Sequence, residues 1–376
     1  MSNALTGAKR NIPPFRADAV GSYLRPQAIK DAREKFAQGE ITKEELTKIE
    51  DIEIKKLVEM QKEVGLEAVT DGEFRRSWWH LDFLNGIEGV QEYIPADGIH
   101  FHGVVTKAKG GRIVDKISFG NHFMLEHFKY LKSIAGDHVA KMTIPSPNML
   151  YAVCAMSDPV YRANPVYATD EDLFDAIIKV YKDAISAFYA AGCRYLQLDD
   201  TRWASLASTK LRQAIVEQGL DLDVITKAFV RMINESIEDR PDDMIITMHV
   251  CHGNYRSTYY SEGSYDIIAD PLFSEVKVDG FFLEYDTERS GGFEPLAHIK
   301  DQQVVLGLIT SKNGTLENKD DVIKRIAEAS KYVDLNQICL SPQCGFSSTE
   351  EGNILTEEAQ WNKMRFIVEI ANEIWK

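Results

Sequence analysis

Four side chains of this 376-residue sequence combine the donor types that hold a soft divalent cation: His249, Cys251, Glu284 and Cys344. In an extended strand, residues two apart project from the same face, so His249 and Cys251 can offer a nitrogen and a sulfur to one point. Glu284 adds an oxygen and Cys344 a second sulfur. Two sulfurs, one nitrogen and one oxygen suit a tetrahedral zinc ion. A His-x-Cys pair alone is weak evidence, because it arises by chance and buried cysteines usually serve as small hydrophobes. The set gains weight because its members end three separately assigned β-rich runs: Met248-His249-Val250-Cys251, Leu283-Glu284-Tyr285-Asp286 and Ser341-Pro342-Gln343-Cys344-Gly345. Cys154, Cys193 and Cys339 lack comparable company and read as packing residues.

The elements that must position these groups follow a repeating pattern. Eight short β-rich runs, at 17–22, 68–73, 142–147, 194–200, 245–251, 280–286, 304–309 and 337–345, alternate with helical periodicity. Eight strands are the number that closes an α/β (β/α)8 barrel, whose reactive groups gather at the C-terminal strand ends. One helix is legible in detail. Thr169 and Asp172 have capping-box spacing, Phe174, Ile177, Ile178, Tyr181, Ile185 and Phe188 form an apolar stripe, and Gly192 supplies a stop. Further helices are expected at 43–64, 224–238, 319–332 and 356–375. The stretch 74–141, after the second strand, is too long for a βα connection and reads as a lid-like insertion. No solenoid repeat or Pro/Gly/Ser linker divides the chain, so residues 1–376 are expected to form one barrel domain.

Composition narrows the partners. Lys and Arg total 43 against 58 Asp and Glu, a formal charge of −15, which argues against a grip on nucleic acid. The longest apolar runs fall well short of the roughly 20 residues that span a bilayer. Residues 1–11 lack the apolar region of a secretory signal, and five cysteines form no disulfide framework. A cytoplasmic protein that avoids membranes and acts on small molecules is expected, a homo-oligomer being one of its possible states.

The sequence resembles the cobalamin-independent methionine synthases, specifically their C-terminal catalytic barrel. The His249-x-Cys251 pair, Glu284 and the segment 341–345 match that family's zinc ligands in type and order. Val20-Gly21-Ser22 is similar to its substrate-binding turn, Asp71-Gly72-Glu73 to its His-Gly-Glu segment, and Gln197-Leu198-Asp199-Asp200 to its Gln-Ile-Asp-Glu segment. The resemblance implies a zinc-dependent transfer of a methyl group, from a 5-methyltetrahydrofolate-type donor, to the thiol of homocysteine. It also implies that Gly21 and Ser22 receive the substrate carboxylate, while Glu73 and Asp199 bracket its ammonium. Each has an ordinary alternative: a strand-end Gly-Ser is often just a turn, and an acid there can simply cap a helix. No catalytic residue is assigned apart from the metal site.

Three departures concern the donor side. Full-length members carry an additional N-terminal barrel that helps hold the folate, and 376 residues leave no room for it. Where the family has Asp-x-His-Ser after strand seven, this sequence has Thr310-Ser311-Lys312. Where it has a Trp after strand three, this sequence reads Thr143-Ile144-Pro145-Ser146-Pro147-Asn148, leaving Trp78, Trp79 or Trp203 to stack. Alternative readings are therefore a thiol methyltransferase with a corrinoid or small methylated donor, and a non-catalytic barrel binding zinc or an amino acid. A decarboxylase on a related barrel ranks last, since it leaves His249, Cys251 and Cys344 unused.

Overall fold

The computed structural model describes residues 5–107 and 109–376. Its strands are β1 (Ala68–Val69), β2 (Glu88–Tyr93), β3 (His100–Phe101), β4 (Val104–Val105), β5 (Gly110–Ser118), β6 (Val139–Pro145), β7 (Tyr195–Asp200), β8 (Ile245–Val250), β9 (Gly280–Glu284), β10 (Gln303–Ile309) and β11 (Ile338–Pro342). Seven of them form one parallel sheet in the order β1-β6-β7-β8-β9-β10-β11. Neighbours in sequence are neighbours in space, as repeated βα crossovers require.

The remaining stave of this α/β barrel is irregular. The run 17–22, expected as a strand, touches both sheet edges through single bridges, Ala17 to Leu340 and Ser22 to Gly72. Asp18 N–H donates to the Leu340 carbonyl at 3.0 Å, and Tyr23 N–H to that of Gly72 at 3.1 Å. Ladder pairing fails between these pins because the Asp18 carboxylate takes the amides of Phe15 and Ala19 (3.1 and 2.8 Å), and Gly21 stands at φ 154°. The second expected strand, 68–73, also shortens to two residues. Gly72 and Glu73 are left-handed, at φ 66° and 59°, which ends the extended backbone.

The stretch 74–141 contains an antiparallel pair, β2 with β5, and a smaller hairpin, β3 with β4. Its last three residues, Val139 to Lys141, already belong to β6, so the third barrel strand starts earlier than expected. The helix Met124–Ala135 packs against helix Lys43–Val64 and β6. Helix Asp170–Ala190 has its Thr169/Asp172 capping box, buries the predicted stripe, and is followed by Gly192 at φ 95°.

Inside the barrel, Phe15, Val20, Tyr195, Phe282, Val305 and Cys339 pack as a small core of their own. Lys141 lies among them, 3.3 Å from Asp18 and donating to the Ala19 carbonyl at 2.6 Å. Tyr195 Oη donates to the same aspartate at 2.9 Å, and the ammonium sits 4.0 Å from the Phe282 ring centroid. This plug fills the N-terminal half of the barrel and leaves the C-terminal strand ends free for chemistry. Among the described residues, no helix is long and apolar enough to cross a membrane.

Candidate metal centre and its cavity

His249 and Cys251 leave the end of β8 on one face, Glu284 ends β9, and Cys344 follows β11. Their donor atoms lie within 4.8 Å of one another, and all four residues are buried. The two sulfurs are 3.6 Å apart. Among the described residues this is the group of His, Cys and acidic side chains placed to hold a metal.

Each donor is held from behind. His249 Nδ1 lies 3.2 Å from the Phe282 carbonyl, an acceptor, which places a ring proton on Nδ1 and leaves Nε2 to face the other donors. That Nε2 is buried and has no hydrogen-bond partner. Cys251 Sγ accepts from the Gly253 amide at 3.3 Å. Glu284 accepts from the His252 amide at 3.0 Å and from Arg289 at 2.7 Å. The Gly345 carbonyl beside Cys344 is pinned by Asn254 and Ser311, at 2.7 and 2.9 Å.

The electrostatics favour anionic ligands. Burial opposes ionisation of Glu284, but Arg289, with Lys312 and two imidazoles, outweighs it and holds the carboxyl down to about 2. The close thiol pair shares its burden unequally: Cys344 is pushed down by its bond to Cys251, while Cys251 is pushed up by the same contact and by burial. Burial alone would lower His249, yet the Cys344 sulfur raises it to about 9. A buried imidazole nitrogen without a partner, two thiols and a depressed carboxyl form a donor set that fits a tetrahedral cation of the zinc type.

His249, Cys251 and Cys344 open onto a cavity of about 850 Å³ whose wall also carries Ser22, Glu73 and Asp199. The left-handed Glu73 accepts from Thr143 at 2.9 Å and lies 3.4 Å from Arg76, while its Oε2 is buried without a partner. Burial raises its carboxyl above the usual range. Asp199 accepts from Gln197 at 2.6 Å, and burial lifts it to about 7. Ser22 Oγ accepts from the Ser347 amide at 3.3 Å. Gly21 stands behind the wall, where a Cβ would come within 2.7 Å of Thr143, and its carbonyl accepts from Thr70 at 2.6 Å.

Of the three tryptophans considered for stacking, Trp78 and Trp79 line the cavity. Trp203 is buried away from it against Phe229. Lys312, standing where the resembling family has a histidine, props the loop after β8 by donating to Gly253, Asn254 and Thr258 at 3.1–3.3 Å. That loop brings Tyr255, Tyr259 and Tyr260 to the cavity wall. His252 faces Tyr265, outside the donor group.

Two buried arginines were not foreseen. Arg289 binds Glu284 and Asp286, each at 2.7 Å; the acid-x-acid pattern ending β9 was the signal that a counter-charge is needed. Arg25 donates to carbonyls of Glu73, Arg76, Ser347 and Thr349, tying the loop after β1 to the loop after β11, and no local pattern announces it.

Known proteins share this architecture. The profile of the family described as "Cobalamin-independent synthase, Catalytic domain" matches residues 15–373. An uncharacterized Bacillus subtilis protein, YxjG, is 54% identical over 98% of this chain and 97% of its own. The methionine synthase of Saccharolobus solfataricus is 22% identical, over 95% of this chain and 94% of its own. Among solved structures, a Listeria monocytogenes protein provisionally assigned as a vitamin-B12-independent methionine synthase is 42% identical, with TM-score 0.78, covering 98% of this chain and 100% of that one. A Shewanella B12-independent methionine synthase, solved with selenomethionine, shares the fold at 18% identity and TM-score 0.72, covering 95% and 96% of the two chains. A match this continuous, spanning every strand end that carries a donor, means that the chain belongs to the cobalamin-independent synthase family.

Proposed function

We propose that this protein is a zinc-dependent methyltransferase that passes a methyl group from a 5-methyltetrahydrofolate-type donor to the thiol of homocysteine, giving methionine, and that it works in the cytoplasm on small molecules. The observation carrying this reading is the partnerless, buried Nε2 of His249 beside two sulfurs and a carboxylate, at the inner end of a cavity that also holds Ser22, Glu73 and Asp199. His249, Cys251, Glu284 and Cys344 would hold the zinc ion, which would supply the Lewis acidity to keep an incoming thiol, with a free pKa of about 8.5, ionised near neutral pH.

The chain's own residues do the rest. Ser22 and the backbone around Gly21 receive the amino-acid carboxylate. Glu73 Oε2 and Asp199 face the ammonium, and its positive charge draws both raised carboxyls into their ionised forms. Arg76 and Thr143 fix Glu73 so that the ammonium meets a preset oxygen. Held at both ends, homocysteine presents sulfur toward the open cavity, where the donor must lie.

A second reading keeps this acceptor chemistry and replaces the folate by a corrinoid or small methylated compound. It is favoured by Lys312, which is engaged with the β8 loop where the family's histidine would serve the leaving folate. Methionine formation assayed with mono- and triglutamyl methyltetrahydrofolate, methylcobalamin and S-methyl compounds separates the two. Metal analysis tests the shared premise: about one zinc per chain is expected in the parent, with marked loss in Cys344→Ser. A Cys344→Ser protein that keeps its full metal content would sink the reading.

A further inference from the structure

The outer wall of the cavity carries two cations, Arg202 and Lys210, that form no ion pair among the described residues, although the chain as a whole is at −15. Arg202 is half-buried there, and its guanidinium hydrogen-bonds only to the neighbouring Thr201 hydroxyl, at 3.1 and 3.4 Å. Asp200, two residues away, is already spent. One oxygen accepts the amides of Arg202 and Trp203 (2.6 and 3.0 Å), the other Ser146 and Asn148 (2.5 and 3.0 Å). Lys210 lines the same wall and makes no ion pair among the described residues.

Backbone donors converge on this place. Helix Thr209–Glu217 starts at Ser208, which provides no side-chain cap, and Ser208, Lys210 and Leu211 all line the cavity. The first amide bonded back along the helix is that of Arg212, to the Ser208 carbonyl at 2.9 Å. The amides of Thr209, Lys210 and Leu211 precede it and have no acceptor among the described residues. On the same cavity wall stands His80, buried, with a partnerless Nδ1. Burial, with the charge of Arg202, pushes its imidazole down to about 3, so it is neutral at physiological pH and adds no cation to Arg202 and Lys210. Of the acids on the outer wall, Asp97 is paired with His100 at 2.5 Å and Glu262 is exposed to water.

We infer that Arg202, Lys210 and the free amides opening helix Thr209–Glu217 form a subsite for the carboxylate tail of the methyl donor, with His80 lining it. This rests on the reading of the cavity as a chamber shared by donor and acceptor. A guanidinium presents a planar fork that matches a carboxylate, and a helix start presents N–H groups with a favourable dipole. Such a tail, anchored at the outer wall, lets the rest of the donor reach inward past Trp79 toward the acceptor sulfur.

Equilibrium dialysis of mono- and triglutamyl 5-methyltetrahydrofolate against zinc-loaded protein tests the subsite. The triglutamyl form should bind more tightly to the parent. Arg202→Gln should lose roughly tenfold or more of that affinity, as expected for a charge-assisted pair. Lys210→Gln, at an exposed position, should lose a smaller part. In parallel, homocysteine is titrated into the cobalt-loaded proteins, and the sulfur-to-metal absorption should respond equally in parent and variants. Absence of folate binding, no preference for the longer tail, or unchanged binding by Arg202→Gln overturns the subsite. So does an Arg202→Gln protein that loses the homocysteine response, since Arg202 would then be acting on the fold. A parent that binds the folates as described but shows no homocysteine response counts against the acceptor reading instead.

Discussion

Glu284 meets two protein donors, the His252 amide and Arg289, before any ion is considered. Arg289 also holds Asp286, so one guanidinium neutralises two buried carboxylates. Removing one partner of a buried pair costs about 3–5 kcal/mol because the other charge is stranded. Arg289→Leu should therefore destabilise the metal-free protein by about that much. The loss should be smaller with zinc bound, because a cation beside Glu284 restores part of the missing charge. Urea denaturation with and without zinc measures both; an equal loss in the two conditions would mean that Arg289 does not act through Glu284.

At the scale of elements, the site depends on how the loop after β11 meets the irregular first stave. A Cβ on Gly345 would stand 1.9 Å from Ser22 Oγ, so the loop carrying Cys344 can approach Ser22 only through a glycine. Gly345→Ala should push these segments apart, weakening zinc retention and the homocysteine response at least tenfold each, a cost of about 1.4 kcal/mol apiece. Metal content and cobalt-probe titration check this; retention of both at parental levels would show that the loop moves without consequence.

The same elements show what could be read from sequence. His249 and Cys251 follow the two-residue alternation of one strand, and Glu284 and Cys344 end runs recognisable by their own composition, so the convergence of these four side chains was legible. The capped helix Asp170–Ala190 was legible for the same reason, its signals lying within one segment. The first stave was not, because its failure to pair depends on where the Asp18 side chain turns. Nor was the brace of Glu73: Arg25 and Arg33 reach the turn at 73–76 across about 40 to 50 positions of chain, a distance over which no local pattern operates.

Over the whole molecule, burial keeps several imidazoles neutral. It lowers His80 and His127 to about 3 and His122 to about 4. In the unfolded chain each takes a proton below about 6.5, whereas in the folded chain it does so only near those lower values. Between these limits the unfolded state binds the extra protons, so this contribution to stability is present above about pH 6.5 and lost on acidification, at about 1.4 kcal/mol per group per pH unit. Asp199, lifted to about 7, works in the opposite sense as pH falls toward its unfolded value. The clean measurement is a difference. His122→Gln, far from the metal ligands, should flatten the acid-side loss of unfolding free energy by about one proton's worth between pH 6.5 and 4. Identical pH slopes for parent and variant would contradict it.

The plug of Lys141, Asp18 and Tyr195 gives the barrel a floor. A vessel with a floor has one doorway, and visitors to it must form a queue. On the proposed chemistry the amino acid sits innermost, so it has to arrive ahead of its methyl-bearing companion. The spent companion then departs first, and the methylated product leaves last.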